Sequence, residues 1–210
     1  AVARGLEGTN IVVISDEIYS ELSYGAHRHV SFAEIPGMWE RTVTVCSLSK
    51  GYGLSGYRIG YLYADDRIMD VYYGSAVNVV GAPCTISTYG AIAALKDKTI
   101  LPAYKEILDR RRCIAHEILS SVPGVRMNRS ESGILSWLDV SRLGTAREVT
   151  DYLAEHAKIL VNQGTAYGMQ GEGHIRIVTA CFREEEEAVK RYKRIADSLW
   201  QLAEKKSIIT

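Results

Sequence analysis

The residues able to do chemistry are concentrated in one stretch, Cys46-Ser47-Leu48-Ser49-Lys50-Gly51-Tyr52-Gly53-Leu54-Ser55-Gly56-Tyr57-Arg58-Ile59-Gly60-Tyr61. A lysine confined beside small hydroxyl residues can titrate low enough for its amine to act as a nucleophile. Arg58 follows with a planar guanidinium suited to bidentate contact with a phosphate. Ser47 and Ser49 add neutral donors for the same anion, and Gly51, Gly53, Gly56 and Gly60 let backbone approach a bulky ligand closely. These residue types at this spacing specify a phosphate-bearing ligand with a reactive lysine beside it.

Two strands must position that stretch. The run Thr42-Val43-Thr44-Val45 leads directly into it and reads as a buried strand. Asn10 to Ser15 is a second apolar run, of the kind expected in a parallel sheet covered on both faces. It ends at Asp16, with Tyr19 three residues on, at the strand end where open α/β sheets build ligand sites. Taken alone, Asp16 and Tyr19 are an ordinary cap and a loop aromatic. Beside Lys50 they gain a sharper role, because a carboxylate can keep a heterocyclic nitrogen protonated and a phenol can tune a neighbouring ring hydroxyl.

Beyond the lysine stretch the pattern turns helical over 65–80, 83–95 and 102–121, the last an amphipathic helix stopped by Pro123-Gly124. Short strands are expected at 125–127, 134–140, 159–161 and 175–179, with a helix at 146–157. A charged helix over 183–206 closes the chain, its acidic run Glu184–Glu187 favourably placed on the helix dipole. The expectation is an α/β unit with a parallel-type sheet over residues 1–104, followed by a smaller α+β unit over 105–210. A chain that enters on a buried strand leaves sheet faces uncovered, so it reads as the second half of something larger.

Composition narrows the function classes. The 25 basic and 25 acidic residues balance and form no basic stripe, which speaks against nucleic acid. No apolar run of membrane-spanning length and no leader-like segment occurs, so a cytoplasmic protein is expected, with no membrane partner. Cys46, Cys84, Cys113 and Cys181 are scattered, as free thiols in a reducing compartment would be. His27 and His29 flank one arginine in a polar loop without supporting ligands, and no metal site is expected there.

Four blocks, in order, resemble the carboxyl-terminal half of the class I/II (fold type I) pyridoxal-phosphate aminotransferases. Asp16-Glu17-Ile18-Tyr19 is similar to that family's D-E-x-Y. Ser47-Leu48-Ser49-Lys50 followed by Gly56-Tyr57-Arg58-Ile59-Gly60-Tyr61 is similar to its S-x-S-K and G-x-R-x-G-Y signature. Gly171-Glu172-Gly173-His174-Ile175-Arg176-Ile177 is similar to the late segment carrying its substrate arginine. The resemblance implies pyridoxal 5'-phosphate as cofactor. Lys50 would form the internal aldimine and shuttle a proton, with Asp16 on the pyridinium nitrogen and Tyr19 on the ring hydroxyl. Ser47, Ser49 and Arg58 would hold the phosphate, and Arg176 would clamp the substrate carboxylate.

It further implies amino transfer between an amino acid and a 2-oxo acid, in a homodimer. Two alternatives stay open on the same residues: a carbon–sulfur β-lyase or related elimination enzyme, and a non-catalytic fragment. The sequence departs from the family at 132–137, where Ile134 and Leu135 replace aromatics, and residues 78–88 offer no second specificity arginine.

Overall fold

Thr42-Val43-Thr44-Val45 is the middle strand of a three-stranded sheet in the computed structural model, which describes residues 1–208. In chain order the elements are α1 (Val2–Gly5), β1 (Val13–Asp16), β2 (Thr42–Ser47), α2 (Leu48–Gly51), β3 (Gly60–Tyr63), α3 (Asp66–Val79), α4 (Thr85–Lys96) and α5 (Ile100–Ser120). They continue as β4 (Arg126–Met127), β5 (Leu135–Asp139), α6 (Ala146–Tyr152), β6 (Asn162–Gln163), β7 (His174–Val178) and α7 (Glu185–Lys205). The chain divides into two compact units, Ala1–Lys105 and Glu106–Thr210, a division that falls inside α5.

In the first unit β1 and β2 run parallel, with Val13 opposite Thr42 and Asp16 opposite Val45. β3 joins antiparallel, Ser47 facing Gly60, so the expected parallel sheet is mixed. The cause is local: the short turn after α2 reverses the chain directly, whereas a parallel return needs a long crossover. The inward face of β2 is threonine-rich. Thr42 and Thr44 are fully buried, and the Thr42 hydroxyl donates to the Met38 carbonyl at 2.6 Å. The expectation that the first strand is covered on both faces does not hold. Ile14 is 74% exposed, and Ile11 and Val12 are also open. α3 is equally bare, burying none of its residues.

In the second unit the sheet order is β4-β5-β7-β6, antiparallel throughout. Alternation along the strands sorts the side chains. Leu138 on β5 and Ile175 and Ile177 on β7 face inward, onto Ala115 and Leu119 of α5, Val149 of α6 and Tyr192 and Leu199 of α7. Each such aliphatic side chain contributes about 2 kcal/mol on burial. α6 begins with a reciprocal cap between Thr145 and Glu148. α7 opens on Glu185, Glu186 and Glu187 and ends on Lys205, both matched to its dipole.

Two differences from the periodicity have physical reasons. The strand expected at 159–161 forms instead at Asn162–Gln163, where Asn162 pairs opposite Arg176 and Gln163 opposite Ile175. The helix at 146–157 is α-helical only to Tyr152 and continues as a wider turn over Leu153–Ala157, which keeps Leu153 and Ala157 buried. α5 also buries two cations. Arg111 donates to the Phe182 and Arg183 carbonyls at 2.6 and 2.9 Å, and Arg112 pairs with Asp109.

Candidate active site

Because β1 and β2 are parallel and in register, the chain leaves both strands at the same end of the sheet. Asp16 is the last residue of β1 and Ser47 the last of β2. The Ser47 hydroxyl accepts from the Ser49 amide at 3.1 Å, which starts the single turn of α2. Within that turn Leu48 and Gly51 are buried while Ser49 and Lys50 lie on the opposite, part-exposed side. The three-residue spacing of Leu48 and Gly51 turns them to one face and leaves Lys50 facing away from the packed layer. Gly51 sits close to the Glu21 side chain: a Cβ there would lie 2.1 Å from Glu21 Oε2, at the mobile end of that side chain.

The return loop is pinned by its own backbone. Ser55 Oγ donates to the Ser49 carbonyl at 2.9 Å, and the Leu54 amide to the Leu48 carbonyl at 3.1 Å. Arg58 occupies the left-handed region (φ 52°), and its guanidinium donates to the Ser55 carbonyl at 2.8 Å. The loop then re-enters the sheet at Gly60, where a Cβ would lie 2.7 Å from the Cys46 carbonyl oxygen. Five of the residues singled out in the sequence, Asp16, Tyr19, Ser47, Ser49 and Lys50, therefore sit at or just beyond the ends of two adjacent parallel strands. Arg58 lies in the loop that follows, with its side chain exposed.

One group at this end was passed over in the sequence. Glu17, next to Asp16, is 6% exposed and accepts from Ser15 Oγ, Ser31 Oγ and the Phe32 amide at 2.9, 2.9 and 3.0 Å. Its second oxygen meets His29 Nε2 at 2.8 Å. Burial pushes this carboxyl up, but the bonds from His29, Phe32, Ser31 and Ser15 outweigh that and hold it below its ordinary value. The signal was the hydroxyl pair and histidine that surround it, scattered over seventeen positions. Glu21, behind α2, behaves oppositely: burial alone pushes its carboxyl up. The Tyr61 phenol is pushed up to about 12, first by burial and then by Cys46 and Glu21.

Arg176 lies on β7, in the second unit. It stands between Trp137 on β5 and Asn162 on β6 in one cross-strand row. Its guanidinium donates to Asn162 Oδ1 at 3.0 Å and lies 4.7 Å from the centre of the Tyr167 ring. Its Nε is buried without a partner. Ile134 and Leu135, which the sequence marked as departures, fall at the start of β5, away from that row: Leu135 faces Val178.

A family model described as aminotransferase class I and II matches residues 1–191. The chain is 31% identical over 191 residues to an aspartate aminotransferase of Pyrococcus abyssi, covering 89% of this chain and 49% of that protein. It is 34% identical over 186 residues to an arginine–pyruvate transaminase of Pseudomonas aeruginosa, covering 84% and 45%. Among solved structures, an aromatic aminotransferase from Pyrococcus horikoshii superposes with a TM-score of 0.87 at 25% identity, over 99% of this chain and 55% of that one. The chain thus spans about half the length of the relatives it matches. A lysine turn at the shared end of two parallel strands, an acid ending the neighbouring strand and a match over residues 1–191 agree: the chain belongs to the class I and II aminotransferase family.

Proposed function

We propose that the protein carries pyridoxal 5'-phosphate on Lys50 and transfers an amino group between an amino acid and a 2-oxo acid. What carries the reading is an uncommitted amine. Lys50 Nζ makes no hydrogen bond or ion pair among the described residues, although its turn is held from both sides. The donor set fits the cofactor in kind. Asp16 is engaged through one oxygen, by the Ile18 amide at 3.3 Å, which leaves the other for a ring nitrogen. Ser47, Ser49 and Arg58 supply hydroxyl and guanidinium donors for a phosphate. When bound, the cofactor supplies an electron sink for the bond broken at the substrate Cα.

The chain's own residues then have distinct tasks. The Asp16 carboxylate would hold the cofactor's ring nitrogen in its protonated form, and the Tyr19 hydroxyl would serve its ring oxygen. Lys50 Nζ, the uncommitted amine of the site, would be the group that takes and returns the proton at the substrate Cα. Arg176 orients the substrate by a two-pronged contact with its carboxylate.

The test is borohydride reduction of the full-length protein supplied with the cofactor, followed by peptide mass mapping. The cofactor mass fixed on the peptide holding Lys50, and its loss in Lys50→Ala, support the reading. An unlabelled Lys50 refutes it. A new amino acid formed with 2-oxoglutarate marks transfer, whereas pyruvate with ammonia from cystathionine marks elimination.

The first unit is read as the later part of the cofactor-binding large domain and the second as the small domain. A homodimer is proposed for the full-length form, supported by the exposed Val71, Tyr73, Val77 and Tyr89 on α3 and α4. A cytoplasmic location is supported by four unpaired cysteines. No helix among the described residues is long and apolar enough to cross a membrane.

A further inference from the structure

We infer that the outer face of the β4-β5-β7-β6 sheet selects the substrate side chain, and that Trp137 and Tyr167 on it favour amino acids with an aromatic ring. This rests on the reading of Arg176 as the carboxylate clamp. The inner face of the sheet is packed with aliphatic groups, but the outer face leaves large rings in the open, Trp137 39% and Tyr167 50% exposed. Rings of that size left uncovered on one sheet face mark a surface that meets a ligand.

The rings are grouped around the guanidinium. Tyr167 lies against Arg176, with 4.7 Å from ring centre to guanidinium carbon. Trp137, directly opposite Arg176 across the strand pair, meets Tyr167 edge-on with ring centres 5.8 Å apart. His174 stacks on Trp137, with ring centres 5.5 Å apart. A carboxylate held on Arg176 therefore places its attached side chain beside a ledge of aromatic rings, whose edges and faces suit another ring.

The ledge is rigid. Gly164 and Gly171, which bracket the Tyr167 loop, touch backbone to backbone, and a Cβ on Gly164 would lie 2.1 Å from the Gly171 carbonyl oxygen. The His174 ring nitrogen is held at 2.9 Å from the Glu172 carbonyl. Preorganised rings lose little freedom when a ligand arrives. One nearby cation is already committed. Arg126 pairs with Asp139, whose carboxyl is raised by burial but lowered more by Ser141 and Arg126, to about 2. A second carboxylate on the substrate would lose water there, and Arg126 is already paired with Asp139.

The experiment uses the cofactor-loaded full-length protein with one 2-oxo acid acceptor. It compares kcat/KM for phenylalanine, alanine and aspartate, and measures calorimetric binding of 3-phenylpropionate, an unreactive aromatic carboxylate. Phenylalanine is expected to exceed aspartate, and Trp137→Ala to lower the phenylalanine-to-alanine ratio roughly 10- to 100-fold. Trp137→Phe restores most of the ratio, and 3-phenylpropionate binding weakens in parallel with it. Tyr167→Leu lowers the same ratio and serves if Trp137→Ala does not fold.

Aspartate preferred by the wild type overturns the inference, as does an equal loss on phenylalanine and alanine. Arg176→Gln separates the two readings. If it lowers all donors alike while Trp137→Ala spares phenylalanine, the clamp stands and the aromatic ledge falls. If it lowers none, the clamp reading itself falls and the ledge with it.

Discussion

The Glu17 carboxylate gathers Ser15, Ser31, His29 and the Phe32 amide onto one buried acid beside Asp16. Bonds to a charged acceptor contribute about 2 kcal/mol each when removal leaves the donors unmet. Glu17→Gln is therefore expected to destabilise the protein by roughly 2 kcal/mol at neutral pH, read from urea unfolding. The sign of the pH effect follows from the folded carboxyl lying below its ordinary value. Its contribution is full above the unfolded pKa and disappears as pH falls through the folded one. Wild type and Glu17→Gln should accordingly converge in stability in acid, and a gap that widens on acidification would contradict this. Legibility at this scale divided by kind of role. The sequence singles out Lys50, Arg58 and Arg176 as candidates because few structural duties need those residue types at that spacing. It does not single out Glu17, since the partners that make it matter come together only once residues 29–32 fold back over β1.

At the scale of elements, two glycines near the lysine turn separate soft from hard contacts. A Cβ at Gly51 would meet the far end of the Glu21 side chain, which can swing aside. A Cβ at Gly60 would meet the Cys46 carbonyl, which is fixed by the β2–β3 ladder. Gly60→Ala is expected to cost about 2 kcal/mol through this overpacking, and Gly51→Ala less than half of that. Thermal melts of the two variants check the order, and equal shifts would contradict it. Most helices were legible because their apolar spacing and end signals agree, α7 and α5 above all. Strand placement was less so. The apolar run Ile159–Val161 looks like a strand, yet the ladder forms at Asn162–Gln163, because pairing with β7 is set by register there and not by hydrophobicity.

Across the whole molecule, burial is uneven. The second unit has a continuous core from Ala115 to Ala203, while the first leaves Ile14 exposed and buries no residue of α3 fully. The change of composition after Pro123 falls inside the second unit and does not mark the division at Lys105. The sequence could not show which apolar residues would stay exposed, since burial depends on what lies opposite. The position of the unit division within α5 bears on how the chain responds to proteolysis. A protease needs several residues of unfolded backbone, and the helical turn around Lys105 does not offer them. The segment Asp97–Thr99 between α4 and α5 does, being non-helical and exposed around Lys98. Brief trypsin treatment should therefore cut after Lys98 well before Lys105, and early cleavage at Lys105 would be evidence against a continuous α5. The fragment made by that cut would begin at Thr99 and keep the whole of α5, so dissection at this point would follow a loop and miss the boundary between the compact units.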